Sequence, residues 1–527
     1  MLLRIRGQVA SKGFFAGPPH VLTESNAAYE FSGNPAQEAV ALRDAVSRAV
    51  AELQTLLEKC EGDAADVISF QIAMLEDDEL VAPCWHIISN GAPADGAWRM
   101  AMDGQIANFQ SSDDEYFRAR TTDLEDMKSR VLRCLSGGGQ SDVAPGSVLM
   151  GHDVSPSVFL SHDWSKGGAI VVSAGSATSH VAMLARSRGI PMVVRAEPWP
   201  TQETSHILVD GGSGTAICNP DADASTEFQS RAKEYLVRQK TSEIYRLKPA
   251  KRSDGSRIHV LINIADPSEV DHIDVASCDG VGLMRSEFLF RDGSPLPDEA
   301  QQYRAYCKVL AWAGTRPVTI RTLDIGGDKP IAGLTIPGES NPFLGLRGIR
   351  LTLARPEVFC VQLRALARAA VHGNLQVMLP MVTVPEEITK SAALMDEVVA
   401  ELKASGIACA RPKLGIMAEV PAVAITPELF KDAAFFSIGS NDLTQYTLAA
   451  SRDDARVAAL NDPSHPAVLR LIEGLVRYGA DHDVPVSLCG DMASDPKHVA
   501  SLLACGLKSL SVAPAMLAEI KKMIAEN

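Results

Sequence analysis

Apolar positions along this chain change their period from one stretch to the next. Between about residues 27 and 136 they recur at helical spacing, as in Ala41-Leu-Arg-Asp-Ala-Val-Ser-Arg-Ala-Val-Ala-Glu-Leu-Gln-Thr-Leu-Leu57 and Val67-Ile-Ser-Phe-Gln-Ile-Ala-Met-Leu75. Turn residues thin out over the same stretch, which predicts a helical bundle. Residues 1–22 read as a short strand-and-turn piece, and the Gly/Ser-rich link Ser136-Gly-Gly-Gly-Gln-Ser141 marks a return to mixed α/β structure. Strands are predicted there at 147–150, 169–172 and 207–210, the last ending in the turn Gly211-Gly-Ser-Gly214, and a charged helix at about 224–246.

From 256 onward, apolar runs at 258–264, 280–285, 317–324, 375–381, 413–419, 434–440, 485–489 and 507–512 alternate with helical stretches such as 391–403 and 467–479. Eight short strands separated by helices predict a closed parallel (β/α)8 barrel of the TIM type. The fold class is therefore multidomain α/β. Residues 1–26 with 137–223 are expected to form an α/β domain, 27–136 an inserted helical bundle, 224–250 a linker helix and 251–527 the barrel.

Six of the barrel runs finish abruptly: Gly282-Leu-Met-Arg285, Ile320-Arg321-Thr-Leu-Asp324, Met378-Leu-Pro-Met381, Ile416-Met-Ala-Glu419, Phe436-Ser-Ile-Gly-Ser-Asn441-Asp442 and Ser487-Leu-Cys489. The soft thioether of Met381 is the weakest of these. A barrel delivers its chemistry at the C-terminal ends of its strands, so the set reads as a site for a small phosphorylated anion. Arg285, Arg321, Arg347 and Arg452 are candidate anion clamps, because the planar guanidinium stays charged and matches phosphate and carboxylate oxygens. A surface salt bridge is the alternative for any one of them, whereas Arg285 and Arg321 end apolar strands, where a buried cation needs an anionic partner. Glu419 and Asp442 are either hard oxygen ligands for Mg²⁺ or structural carboxylates bonded to loop amides. Asn441 offers an amide to a substrate anion, and Cys489 is either an inert core thiol or a proton donor.

Thr178-Ser179-His180 precedes an apolar helical run. Thr178 or Ser179 would cap that helix, leaving His180 in its first turn, where free N–H groups favour an added phosphoryl group. The plain alternative is a capping turn with an incidental histidine. The acidic runs Glu76-Asp-Asp-Glu79 and Asp113-Asp-Glu115 are solvated helix faces unless a basic protein docks on them.

A chain of 527 residues predicts two to four domains. The formal net charge of −15 argues against nonspecific nucleic-acid binding. Ten cysteines without a C-x-x-C pair suit a reducing cytoplasm. No signal-peptide core and no run of 18 apolar residues occurs, so no membrane span is expected.

Taken together, the motifs resemble those of Enzyme I of the bacterial phosphotransferase system, the phosphoenolpyruvate–protein phosphotransferase family. The matching segments are Met74-Leu-Glu-Asp-Asp-Glu-Leu80, Asp113-Asp-Glu-Tyr116, Thr178-Ser-His180, Gly280-Val-Gly-Leu-Met-Arg285-Ser-Glu-Phe-Leu-Phe290, Arg321-Thr-Leu-Asp-Ile-Gly-Gly-Asp-Lys329, Asn341-Pro-Phe-Leu-Gly-Leu-Arg347, Phe436-Ser-Ile-Gly-Ser-Asn-Asp-Leu-Thr-Gln-Tyr446 and Cys489-Gly490. The resemblance implies that phosphoenolpyruvate binds at the barrel mouth with Mg²⁺ on Glu419 and Asp442. Arg285, Arg321, Arg452 and Asn441, with Arg347 nearby, would hold its anionic groups. It implies that His180 accepts the phosphoryl group, that Cys489 protonates the enolate to pyruvate, and that an HPr-like phosphocarrier protein docks on the bundle. A homodimer through the barrel is also implied. Ser176 and Ala177 stand where relatives often carry a second glycine and an arginine, and Asp491 replaces a glutamate. Transfer to a small-molecule acceptor, or a silent regulatory homologue, are the rival readings.

Overall fold

The chain folds into two units, Met1–Leu236 and Val237–Asn527. The computed structural model describes residues 2–527 apart from 23–28, 59–62, 111–120, 138–142, 177–178, 201–202, 291–295, 328–330, 332–333, 336–338, 340 and 453–455, and gives backbone alone at 63, 64, 66, 110, 180 and 187.

The first unit is built on a mixed sheet of strands β1 (Leu3–Ser11), β2 (Phe14–Gly17), β3 (Pro19–Val21), β4 (Val148–Gly151), β5 (Ala169–Val172), β6 (Met192–Glu197), β7 (Ile207–Asp210) and β8 (Thr215–Cys218), ordered β2-β7-β8-β1-β6-β5-β4-β3. Strands β3 to β6 run parallel. Every residue of β4, β5 and β7 is buried, which is why these three read from sequence as uninterrupted apolar runs. Strand β1 is more than the fragment of a strand-and-turn piece expected from sequence. It runs the full Leu3–Ser11 in the middle of the sheet, with Arg4 and Arg6 exposed on either side of buried Ile5.

Between β3 and β4 lie the helices Pro35–Leu57, Asp63–Leu75, Asp78–Ser89, Ala94–Gln110 and Thr121–Leu135. Leu42, Leu53, Ile68, Trp98 and Met127 are fully enclosed at their centre. Burying each such side chain contributes about 1.5–3 kcal/mol. Asn34 caps the first helix through a 2.9 Å bond from Ala36 N–H. Asp77, from the acidic run at 76–79, caps the third by accepting from Glu79 N–H at 2.9 Å, and the run is exposed. The run at 113–115 lies outside the described residues. Asp126 ties this layer to the helix Pro156–Ser161, accepting from Ser157 Oγ at 2.7 Å and Gln71 Nε2 at 3.1 Å.

The second unit contains a closed parallel barrel, β9 (His259–Ile264) through β10 (Val281–Arg285), β11 (Pro317–Arg321), β12 (Asn374–Leu379), β13 (Lys413–Ala418), β14 (Phe436–Ile438), β15 (Val486–Leu488) and β16 (Ser509–Val512), which pairs back to β9. All eight strands fall within the expected runs or overrun them by one residue, but three end two or more residues early, β12 among them at Leu379 rather than 381. β11 stops at Arg321 rather than 324. β14 has three residues, and Asn441 and Asp442 sit in the first turn of the helix Ser440–Leu448 instead of closing a strand. Gly439 makes the switch possible, since a Cβ there would approach Glu419 Oε2 to 2.9 Å. At the far end of the chain, the buried amine of Lys521 donates to the carbonyls of Arg246 (2.7 Å), Lys248 (3.0 Å) and Ser277 (2.7 Å), pinning the last helix Leu517–Glu526 against the entry into the barrel. No helix among the described residues is long and apolar enough to cross a membrane.

Candidate functional site

Parallel pairing places Arg285 directly opposite Arg321 at the ends of β10 and β11. Arg285 is half-buried, while Arg321 is only 5% exposed. Two cations side by side in this position require anions. Glu287, from the turn after β10, pairs with Arg321 Nη2, and Asp324 accepts from Nη1 at 2.8 Å. Burial favours loss of the proton, but Asp324 and Glu287 more than reverse it, so the Arg321 guanidinium is held charged. Its Nε is buried without a hydrogen-bond partner.

Asp324 is shared. Its other face receives Arg347 Nε at 3.1 Å and Nη2 at 3.3 Å. Arg347 in turn grips Asp442 with Nη1 and Nη2, both at 3.1 Å, and reaches Tyr446 Oη at 3.2 Å. All five of its N–H donors are therefore engaged, and burial is outweighed by Asp324 and Asp442 so that it too stays charged. Arg347, expected as an anion clamp, reaches a substrate only by giving up one of these bonds; the geometry makes it the residue that orients Asp442. Arg347→Met is expected to lower stability by about 3–5 kcal/mol, because it removes the cation paired with buried Asp442 and leaves Asp324 to Arg321 alone. A denaturant midpoint equal to wild type would remove that role.

Glu419 follows β13 directly and is 1% exposed. One oxygen accepts the Met381 N–H at 2.7 Å; Met381 holds a left-handed backbone (φ 57°), so the weak thioether of the sequence reading contributes its amide instead. Burial, and then the negative charges of Asp442 and Asp324, push the Glu419 carboxyl up to about 8 against the pull of Arg321 and Arg347. Cys489, after β15, is 2% exposed and lies in the barrel interior with Leu283, Met378, Met417 and Phe435. Burial raises its thiol to about 11 despite Ser437, Arg321 and Arg285, so it carries its proton at neutral pH. That proton is directed at the Ile438 carbonyl, 3.5 Å away. Asn441 is locked by reciprocal 2.9 Å bonds with Asp491, side chain to side chain and back from the Asp491 N–H.

Arg285, Arg321, Arg347, Glu419, Asp442 and Cys489 thus share one barrel mouth, with Asn441 on the same helix turn as Asp442. Arg452 is exposed beyond that helix, its N–H 3.4 Å from Gln445 Oε1, and the described contacts do not bring it into the cluster. In the first unit, His180 opens the helix His180–Arg188, capped by Ser179 Oγ accepting from Ala182 N–H at 3.2 Å. Ala177, Thr178 and the His180 side chain lie outside the described residues. Glu287 and Tyr446 have no role in the sequence reading, and Asp324 enters it only as the polar end of the second barrel run.

The model for the PEP-binding domain of PEP-utilising enzymes matches residues 239–527, that for their N-terminal domain 6–120, and that for their mobile domain 143–214. The chain is 34% identical over 543 residues to the phosphoenolpyruvate-protein phosphotransferase of Staphylococcus carnosus (strain TM300), covering 99% of this chain and 94% of the relative. It is 36% identical over 509 residues to that of Geobacillus stearothermophilus, covering 93% and 88%. Against that of Bacillus sp. (strain S) it is 34% identical over 536 residues, covering 99% and 92%. With identity at this level across nearly the whole length, the chain belongs to the phosphoenolpyruvate-protein phosphotransferase family.

Proposed function

We propose that this protein moves the phosphoryl group of phosphoenolpyruvate onto the imidazole of His180 and then to a histidine of a small HPr-like carrier protein, the entry step of a phosphotransferase system. The observation that carries this reading is the barrel-mouth cluster, in which buried arginines, buried carboxylates and a protonated thiol come together at the strand ends. Arg321 Nε, a buried donor with no partner, and the half-buried Arg285 are the groups left to hold phosphate and carboxylate oxygens. Asn441 and Arg452 would add further donors to the substrate anion, beside Asp442.

The donor set fits Mg²⁺. Four buried carboxylates (Glu287, Asp324, Glu419, Asp442) face two buried guanidinium groups (Arg321, Arg347), and Ser440 Oγ is buried without a partner beside Asp442. Among the described residues no three His, Cys, Asp or Glu side chains form a ready-made metal cage. Glu419 and Asp442 would therefore hold the ion through hard oxygens, with water and substrate oxygens completing the shell. Bound there, it neutralises charge developing on the phosphoryl and enolate oxygens.

In the transfer, the bond from phosphorus to the enol oxygen breaks as a His180 ring nitrogen bonds to phosphorus. The enolate electron pair then takes the proton of Cys489 Sγ at the terminal carbon, giving pyruvate, and the thiolate recovers a proton from water. Arg347 keeps Asp442 in place throughout. Residues 1–26 with 137–223 would carry the phosphohistidine, 27–136 would receive the carrier, 224–250 would link, and 251–527 would bind substrate. A homodimer through the barrel, working in the cytoplasm, completes the proposal.

The test is to incubate the protein with labelled phosphoenolpyruvate and Mg²⁺. Acid-labile label should appear on the chain with one pyruvate per label, and should leave only when a small phosphocarrier protein is added. Label passing to a metabolite without any carrier would overturn the acceptor assignment. Cys489→Ser is expected to slow pyruvate formation by about 10²–10⁴-fold, the loss of a general acid; unchanged pyruvate release would remove Cys489 from the mechanism.

A further inference from the structure

The loop that leads into His180 carries no positive charge of its own: residues 173–179 read Ser-Ala-Gly-Ser-Ala-Thr-Ser. A phosphoryl group on the next residue brings a dianion there, and the free N–H groups of one helix end neutralise it only partly. The structure supplies a cation from the neighbouring strand. Opposite β1, strand β6 pairs Val194 with Gln8 and Glu197 with Arg6, so three steps on β6 match two on β1. This is a β-bulge, a device that redirects a side chain next to a site. Arg195 stands in it with φ 50°, a left-handed backbone that side-chain-bearing residues adopt only under constraint.

The bulge turns Arg195 toward the His180 loop. Its N–H donates to the Ala174 carbonyl at 3.2 Å and its Nε to the Gly175 carbonyl at 3.4 Å. The rest of the side chain is exposed, leaving the two Nη groups for an incoming anion. On the opposite side of the loop, Asp153 Oδ1 is engaged by Val154 N–H at 2.8 Å, and Gly175 (φ 83°) passes so close that a Cβ there would lie 3.1 Å from the same oxygen. Burial raises the Asp153 pKa against the pull of the Val154 N–H bond.

We propose that Arg195 binds the phosphoryl oxygens carried on His180, so that the guanidinium stabilising the phosphohistidine comes from strand β6 rather than from the loop. This rests on the assignment of His180 as the phosphoryl acceptor.

The experiment compares wild type, Arg195→Gly and Arg195→Lys in the full chain, with labelled phosphoenolpyruvate and Mg²⁺. Measured are the rate of label uptake, the hydrolysis half-life of the isolated phosphoprotein, and Tm. Arg195→Gly suits the left-handed backbone, so its Tm should equal or exceed wild type while uptake slows, or hydrolysis quickens, by at least about tenfold, as for the loss of one transition-state donor. Arg195→Lys should recover part of that loss by restoring charge. A glycine variant that matches wild type in both uptake and half-life overturns the inference, as does one whose slower uptake merely follows a lower Tm. If wild type itself takes no label on His180, the underlying assignment fails instead, so the two failures are distinguishable.

Discussion

Replacing His180 by alanine is expected to leave the protein folded and wholly unable to take label from phosphoenolpyruvate. The substitution costs the fold little. His180 is the first residue of its helix, the cap is made by Ser179 Oγ, and alanine is the best helix former. Catalysis loses everything, because no other atom in that loop can form the nitrogen–phosphorus bond. Pyruvate release should stop too, since the barrel then has no acceptor to discharge into. The measurement is acid-labile label per chain together with Tm. Label retained on the alanine variant, at any fraction above background, would place the phosphoryl acceptor elsewhere.

The second large effect is expected from Glu419→Gln, where activity and stability should move in opposite directions. The substituted amide can still accept the Met381 N–H but cannot carry the charge a divalent cation needs, so turnover should fall by at least about 10²-fold. Without cation, the native Glu419 titrates near 8 against an ordinary value of 4.5. Between those values the folded chain holds a proton that the unfolded chain has released, so stability falls as pH rises through the window and levels off above about 8. The glutamine variant escapes this. Its metal-free Tm should therefore exceed wild type at pH 8 by a few degrees, roughly the response of a large domain to 1 kcal/mol, and the two should converge near pH 4.5. Added Mg²⁺ should raise the wild-type Tm, more strongly at higher pH, and leave the variant unmoved. A variant less stable than wild type at pH 8 in the absence of cation would show that Glu419 is a structural carboxylate.

Much of the architecture is legible in the sequence because burial writes itself into composition. Strands β4, β5 and β7, and the barrel strands, are covered on both faces and so appear as short apolar runs with polar ends. The bundle helices are covered on one side only and show a 3.6-residue period. Elements whose surroundings are mixed do not announce themselves. β1 alternates exposed Arg4 and Arg6 with buried Ile5 and is legible only as a fragment, because its neighbours β6 and β8 come from about 180 to 215 residues further on. The end of β14 differs from expectation for a related reason: Phe436-Ser-Ile-Gly-Ser is apolar enough to continue as strand, whereas in the fold Gly439 lies close against Glu419 and the chain enters a helix at Ser440.

The candidate site divides in the same way. The residues proposed for phosphoryl chemistry, namely His180, Arg285, Arg321, Glu419, Asp442 and Cys489, stand at positions dictated by local pattern, because a strand end or a helix cap is recognisable from a few neighbours. Their partners are not local. Whether Arg347 clamps a ligand or ties Asp324 to Asp442, whether Glu419 holds its proton, and whether Arg195 faces the His180 loop all depend on groups brought together across tens of residues by barrel closure or by a bulge's register. By itself, then, the chain's order of apolar and polar residues determined the two kinds of core and the chemistry available at their edges. Tertiary structure alone decided which charges neutralise one another, since electrostatic energy depends on distance and burial, and neither is written in the spacing of residues along the chain.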